Sequence, residues 1–170
     1  TLHNRDYATR LGLCAGDRVT LERAGEVITS IVAVEHGTGG ERFVFLSPCP
    51  SCGAPVEVGG ALARCPNRAA CPAQIAGRIE YFCGKNGVAI SGVGEALAGA
   101  LVETGHVRSV DALYRLREAE WMALPGVGRT TAVALLAEVE RSKRAELWRF
   151  IAGLSIPQVG PATAKLLAQH

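Results

Sequence analysis

Four cysteines near the middle of the chain have the type and spacing that a metal site requires. They form two pairs, Cys49-Pro-Ser-Cys52 and, downstream, Cys65 with Cys71. Zinc prefers soft ligands, and two thiolates separated by two residues can reach one side of a tetrahedral ion. Four sulfur ligands leave no coordination position for water, so such a site stabilises a fold without performing catalysis. The pattern predicts a structural Zn²⁺ site at Cys49, Cys52, Cys65 and Cys71.

The alternative is that these cysteines are free or form disulfides, as in a small secreted domain. Two further cysteines, Cys14 and Cys83, weaken it because they lie in apolar patterns typical of buried thiols. Residues 54–64 alternate valines with polar residues around Gly59-Gly60, which predicts a small hairpin between the cysteine pairs. The wider spacing of the second pair predicts a looser loop.

Composition limits the possible classes. A chain of 170 residues with 48% hydrophobic but only 5% aromatic residues favours small, closely packed modules over one large core. The net charge of +2 does not by itself indicate a nucleic-acid partner, so the argument depends on where the cations lie. No segment is long and apolar enough to span a membrane, and no signal peptide is present. The chain begins at Thr1 rather than Met, so we expect a part of a longer, cytoplasmic protein.

Residues 1–47 are predicted to form the first module. Asn4 can cap a short helix that ends at Gly12. Residues 17–23 alternate, with Val19 and Leu21 on one face, residues 27–34 are rich in β-branched residues, and an apolar segment, 42–46, continues the pattern. We interpret the module as part of a small β-barrel that lacks some of its strands.

From Pro72 the sequence predicts helices, the first over 72–83 with Arg78 away from its apolar stripe. One pattern then occurs three times: Ile90-Ser-Gly-Val-Gly94, Leu124-Pro-Gly-Val-Gly128 and Ile156-Pro-Gln-Val-Gly160. An alanine follows each last glycine by four residues, and a leucine follows it by seven: Ala98 and Leu101, Ala132 and Leu135, Ala164 and Leu167. A recurrence of a little over thirty residues predicts a repeated helix, tight turn and second helix.

The chemistry of this unit favours phosphate. Glycines allow the turn to approach a ligand closely, and the second helix begins there with unpaired amides and the positive end of its dipole. Backbone amides recognise a phosphate but not a base, so the predicted result is sequence-independent DNA binding. The alternative is a purely structural pair of helices, since such turns are common. The glycines concerned are Gly92, Gly94, Gly126, Gly128 and Gly160.

The three copies are not equivalent. The copy at 124–128 has both glycines and is followed by Arg129 and Thr130, which can add hydrogen bonds to a phosphate. The copy at 90–94 is followed by Glu95, whose carboxylate competes with a phosphate for the helix end. The third copy lacks a glycine and is followed by Pro161, which has no amide hydrogen. We predict that the 124–131 segment dominates binding, with diffuse attraction from Lys165 and from Arg141 or Lys143.

The repeat resembles the helix-hairpin-helix motif of DNA repair and replication proteins. The order of segments, from Thr1-Leu-His-Asn4 and Arg23-Ala-Gly-Glu-Val-Ile28 through both cysteine pairs to the tandem hairpins, resembles the central region of bacterial NAD-dependent DNA ligase. The resemblance covers essentially the whole chain. It implies an incomplete OB-fold over 1–47, a four-cysteine zinc finger over 48–72 and a helix-hairpin-helix domain over 73–170.

The resemblance also implies roles for individual residues. Arg23, Val27 and Ile28 match the OB-fold element that helps to position a nick, although Thr29 stands where the family usually has proline. The family usually has four hairpins: the first would be the degenerate helix and loop around residues 78–88, which makes Arg78 a DNA-binding candidate. The fourth would be either the 156–164 copy or a segment beyond His170. The implied partner is duplex DNA, in particular nicked duplex, which in the cell lies in the bacterial nucleoid.

No catalytic residue is assigned, because the lysine nucleophile of the family, in a Lys-x-Asp-Gly setting, is absent. The resemblance places that lysine, with the NAD and Mg²⁺ requirement, in an adenylation domain upstream of Thr1. We therefore expect a DNA-binding region of an enzyme that seals nicks in replication and repair, inactive by itself. The alternatives are a non-catalytic zinc-containing DNA-binding or scaffold protein of DNA repair and, less favoured, a repair nuclease subunit.

Overall fold

The structure is a computed structural model that describes residues 2, 4–24, 28–35, 40–41 and 44–170. Contacts between residues divide the chain into two compact units, Thr1–Asn67 and Arg68–His170. The first unit contains all the strands of the described residues, and the second contains helices.

The first unit begins with helix α1, Arg5–Leu11, as the sequence predicts. The Asn4 side chain accepts a hydrogen bond from the Tyr7 amide at 2.9 Å, and Gly12 ends the helix in the left-handed conformation. The Tyr7 hydroxyl donates to the carbonyl of Ile31 at 2.6 Å, which joins the helix to the sheet that follows.

That sheet has two antiparallel strands, β1 (Arg18–Ala24) and β2 (Ile28–Glu35), with an irregularity between Thr20 and Leu21. Both strands were expected. The apolar segment after them differs, since residues 44–46 form no strand and the side chains of Val44 and Leu46 are exposed. Residues 42 and 43 lie outside the described part. The described residues therefore contain a two-stranded sheet and no closed barrel.

The predicted hairpin between the cysteine pairs is present. Strand β3, Glu57–Gly59, pairs with β4, Leu62–Arg64, and Gly59 lies opposite Leu62. Gly60 has a φ of +57°, so it provides the left-handed turn position, whereas Gly59 ends the strand.

The second unit contains three helical hairpins. Hairpin 1 consists of α2 and α3, hairpin 2 of α4 and α5, and hairpin 3 of α6 and α7; a 3₁₀ helix, Val110–Arg115, lies between the first two. The helices are α2 (Pro72–Cys83), α3 (Glu95–Glu103), α4 (Glu118–Met122), α5 (Arg129–Ser142), α6 (Leu147–Gly153) and α7 (Pro161–Leu167). Across the described residues, every helix is too short or too polar to cross a bilayer.

The core of this unit extends from α2 to α5 and includes Phe82, Leu101 and Trp121, all fully buried. The apolar stripe predicted for α2 is confirmed, because its four members are all buried: Ile75, Ile79, Phe82 and Cys83. Phe82 also contacts Phe150 of α6 edge to face, with 5.8 Å between ring centroids. Gly153 permits this approach, since a Cβ there would lie 2.8 Å from the Phe82 ring.

One sequence prediction needs correction here. Cys14 is half-buried rather than buried, because it lies at a surface turn where its amide donates to the Asp17 carboxylate at 2.8 Å. Residues 78–83 form the second half of α2 and lead into a turn, so a helix and loop are present over 78–88, and their correspondence to the family's first hairpin stays a prediction.

Candidate nucleic-acid interface and metal site

The four predicted ligands come together. The sulfur atoms of Cys49, Cys52, Cys65 and Cys71 all lie within 4.8 Å of one another, and no disulfide joins them. Tetrahedral Zn–S bonds of about 2.3 Å place sulfurs about 3.8 Å apart. The donor set and the spacing therefore fit a metal ion such as zinc.

The local backbone explains how two of these thiols are positioned. Gly53, with a φ of +71°, donates its amide to the Cys49 carbonyl at 2.8 Å and closes a tight turn. The amides of Ser51 and Cys52 hydrogen-bond to the Cys49 sulfur and lower its pKa, which favours the thiolate that a metal requires. Cys65 has the opposite shift: burial raises its pKa to about 11, and its neighbours Cys52 and Cys49 add to the increase. Cys71 stands at the N-terminal end of α2.

The turns of the three hairpins share one backbone conformation. Gly92 and Gly126 have φ values of +92° and +74°, and Gln158, at the equivalent place, has +67°. The first glycine of the repeat is thus required by a left-handed turn, and hairpin 3 adopts the same turn without it.

The last glycine of each repeat is the N-cap of the second helix. Gly94, Gly128 and Gly160 precede α3, α5 and α7 with extended backbone, and no side chain caps any of the three. All three glycines are exposed, and a Cβ built on each would meet no atom within 4 Å. The first-turn amides and the positive helix ends are therefore accessible to an anion.

Hairpin 2 has the predicted cation, and it also has a counter-ion that the sequence prediction missed. The side chains of Arg129 and Thr130 are exposed at the start of α5. The Arg129 Nε lies 3.1 Å from the carboxylate of Glu118, the first residue of α4. A phosphate at this turn would compete with Glu118 for the guanidinium.

Hairpin 1 has a second carboxylate near its turn, in addition to Glu95. The Glu138 side chain on α5 accepts a hydrogen bond from the Ser91 amide at 2.9 Å and from Arg141 at 2.7 Å. Arg141 also donates to the carbonyl of Ala89 at 2.5 Å. The hydrogen bond from Arg141 is the larger cause, and that from the Ser91 amide the next, of the lowering of the Glu138 pKa to about 2. Arg141, assigned to diffuse attraction from the sequence, is instead part of a contact between hairpins 1 and 2.

In hairpin 3, Lys165 does not extend freely toward solvent. Its Nζ lies 4.8 Å from the ring centroid of Trp148, and the Arg149 guanidinium lies 4.5 Å from the same ring. Arg149 donates to the Lys85 carbonyl at 2.8 Å. Neither Trp148 nor Arg149 was predicted from the sequence; the signal available there is an aromatic residue directly followed by a cation.

The remaining predicted DNA contacts occupy separate places. Arg23 and Ile28 lie near the connected ends of β1 and β2, with exposed side chains, and Val27 lies outside the described residues. Arg78 is half-buried, and its guanidinium donates to the carbonyls of Gln74, at 3.3 Å, and Arg68. Part of its role is therefore to hold the backbone that precedes α2.

Comparisons with known proteins agree with this arrangement. The SAM-like helix-hairpin-helix tandem family matches residues 88–141, which include the turns of hairpins 1 and 2. The chain is 43% identical to DNA ligase 1 of Opitutus terrae over 99% of its length, and 43% identical to the DNA ligase of Haloferax volcanii over 100%. It is 40% identical to the DNA ligase of Acidobacterium capsulatum over 100% of its length. The chain spans about a quarter of the length of these curated relatives, at 26%, 24% and 26%.

Proposed function

We propose that this chain, which corresponds to a central region of a bacterial DNA ligase, binds duplex DNA through backbone phosphates without recognising base sequence. The observation that carries the proposal is the set of three exposed, glycine-capped helix N-termini, none with a side-chain cap. Backbone amides and helix dipoles attract phosphate, and phosphate contacts position a protein without specifying sequence.

Hairpin 2 is proposed to dominate this binding. Its first-turn residues, Arg129–Thr131, all have amide hydrogens, and its exposed guanidinium and hydroxyls can add charge-assisted bonds. Near the turn of hairpin 1 lie two carboxylates, that of Glu95 at the start of α3 and that of Glu138 on α5. In hairpin 3, α7 begins with Pro161. Each difference lowers the attraction for an anion relative to hairpin 2.

Gly128→Ala tests the backbone contact. Gly128 has an ordinary φ of −85° and open space around its missing Cβ, so the substitution should cost at most about 1 kcal/mol of stability as an N-cap change. A methyl group there would nevertheless obstruct a phosphate. We expect weaker binding to nicked duplex by fluorescence anisotropy, with a melting temperature close to that of the wild type.

Gly94→Ala is the matched control, since Gly94 has the same N-cap geometry in hairpin 1. A larger loss for Gly94→Ala than for Gly128→Ala would contradict the order of the hairpins. If neither variant changes binding, the hairpin turns are not the phosphate site.

Arg129→Ala tests the cation. We expect uniformly weaker binding across DNA sequences and a salt-dependence slope reduced by about one unit. Glu118→Gln should have the opposite effect, because it releases the guanidinium from its ion pair. Anisotropy titrations at several salt concentrations give both values, and an unchanged slope for Arg129→Ala would remove this residue from the interface.

The cysteine cluster is proposed to hold one structural Zn²⁺. Cys65→Ala should abolish stoichiometric zinc and unfold the segment around it, since structural zinc binding contributes on the order of 10 kcal/mol of folding free energy. Cys14→Ala is the control, because Cys14 lies outside the cluster. Elemental analysis and circular dichroism would show the difference, and a full complement of zinc in Cys65→Ala would disprove the assignment.

In the longer protein we propose that this region serves NAD-dependent nick sealing in replication and repair, in the cytoplasm. The ligase names of the relatives support this, together with the sequence resemblance. Residues 1–47 would complete their OB-fold, and NAD, Mg²⁺ and the reactive lysine would belong to an adenylation domain of the same polypeptide. Incubation of this chain with labelled NAD should leave no AMP adduct; a stable adduct would reveal a nucleophile here. A coding sequence upstream without Lys-x-Asp-Gly would favour a non-catalytic DNA-binding protein instead.

A further inference from the structure

A cavity of about 170 Å³ lies in the second unit, and none of the three glycine N-caps lines it. The side chains of Arg78 and Arg108 line it, together with apolar residues that include Ile75, Val110 and Leu154. None of the described residues that line it is acidic. Two arginines therefore line one small cavity, and no carboxylate is among its described lining residues.

We propose that this cavity binds one phosphate of the DNA backbone, an additional contact that rests on the DNA-binding function proposed above. Its volume corresponds to roughly five or six water-sized groups, which is enough for the five heavy atoms of a phosphate. Guanidinium groups donate in a planar arrangement that suits phosphate oxygens. The apolar wall strengthens the attraction, because it limits the screening of the two charges by water.

The two arginines differ in the hydrogen bonds that their guanidinium groups already make. Arg78 is fixed, since its Nε donates to the Gln74 carbonyl at 3.3 Å and its Nη2 to the Arg68 carbonyl. Its Nη1 makes no bond in the described part of the chain, so a preordered donor remains. Arg108 is exposed and has no hydrogen-bond or ion-pair partner among the described residues. The closest acid in sequence, Asp111, is engaged by Ser109 and by Arg115, the latter at 2.6 Å.

The position of the cavity next to hairpin 3 indicates which hairpin it would assist in binding phosphate. Gly153 and Leu154, which line it, directly precede the turn of hairpin 3. That turn lacks the amide hydrogens of Pro157 and Pro161 and has Gln158 in place of a glycine. The two guanidiniums would supply, beside hairpin 3, the phosphate attraction that its backbone provides only weakly.

The test compares Arg108→Ala with Arg144→Ala, which removes the same charge from an exposed arginine away from the cavity. We expect Arg108→Ala to weaken binding to nicked duplex several-fold more than Arg144→Ala and to lower the salt slope by about one unit. Arg108→Lys should restore part of the affinity, because a cation is retained without the planar fork. Equal effects of Arg108→Ala and Arg144→Ala would contradict phosphate binding in the cavity but not DNA binding by the hairpins. A wild-type chain that does not bind duplex would contradict both the cavity proposal and the proposed function.

A second measurement identifies the source of the phosphate. The Nε–H resonance of Arg108, assigned by its loss in Arg108→Ala, should shift when nicked duplex is added to the chain. Inorganic phosphate is the comparison, and we expect it to shift the resonance only at much higher concentration. Saturation by inorganic phosphate without a response to duplex would show a site for free phosphate and contradict the DNA assignment.

Discussion

Hairpins 1 and 2 bury the apolar residue that opens the repeat and the leucine that closes it, whereas hairpin 3 exposes both. Leu101 and Leu135 are 0% and 3% exposed, but the equivalent Leu167 is 52% exposed. Ile90 and Leu124 are 2% and 3% exposed, against 44% for Ile156. Among these three apolar positions, the alanine alone behaves identically, since all its copies are fully buried: Ala98, Ala132 and Ala164.

The difference separates two kinds of position in one motif. The alanine is buried in every hairpin, including hairpin 3, where the leucine three residues later is exposed. The leucine is buried where two hairpins meet: a Cβ on Gly92 of hairpin 1 would lie 3.0 Å from Leu135 of hairpin 2. Within the described residues, Leu167 has no hairpin packed on it in this way. The motif thus specifies the hairpin, and pairing of hairpins specifies the core.

The largest difference is expected when the equivalent leucines are truncated. Leu135→Ala should destabilise the chain by about 2–5 kcal/mol, because it leaves a cavity between two hairpins. Leu167→Ala should change stability by only about 0.5 kcal/mol, as for an exposed side chain. Urea denaturation of both variants gives the comparison, and equal losses would mean that Leu167 is buried in solution by a contact absent from this structure.

Exchanges at the left-handed turn positions should have smaller effects of opposite sign. Gly92→Ala should cost about 1–2 kcal/mol for the backbone conformation, with an added contact against Leu135. Gln158→Gly should stabilise by about 0.5–1 kcal/mol, because relief of the left-handed backbone outweighs the entropy that glycine loses on folding. Thermal unfolding measures both, and destabilisation by Gln158→Gly would show that the glutamine side chain has a structural role.

The Glu138 carboxylate, which pairs with Arg141 on α5 and accepts from the Ser91 amide of hairpin 1, should give the smallest effect, visible in acid. The pKa of Glu138 in the folded chain, about 2, is below its value in an unfolded chain, about 4.3. The carboxylate therefore contributes stability above the unfolded pKa and loses it as the pH falls toward 2. The stability difference between wild type and Glu138→Gln should narrow over this range. A difference that is constant between about pH 6 and pH 2 would show that the carboxylate charge is irrelevant.

Local patterns predicted the local structure well. Asn4 and Gly12 delimit α1, the stripe of α2 is buried, and each last glycine of the repeat precedes a helix, all as expected. These features depend on residues close in sequence, through capping, periodicity and turn geometry. The cysteine spacing likewise predicted a cluster that the structure brings together.

Features that depend on distant residues were not accessible from the sequence. The Glu138–Ser91 contact joins residues 47 positions apart, and the Arg129–Glu118 pair joins two helices. Neither leaves a periodic signal, since a charged residue on a helix face usually contacts only water. The exposure of Leu167 could not be predicted either, because the repeat pattern is the same whether or not a second hairpin covers the leucine.

The two tryptophans give the chain internal optical probes of these two regions. Trp121, fully buried with no hydrogen-bond partner for its Nε1 among the described residues, reports on the core of hairpins 1 and 2. Trp148, half-buried between the cations of Arg149 and Lys165, reports on hairpin 3. Soluble quenchers should reach the second indole and not the first, so one emission spectrum distinguishes opening of the core from events at hairpin 3. Removing either ring leaves a single-tryptophan protein, because the sequence contains only these two.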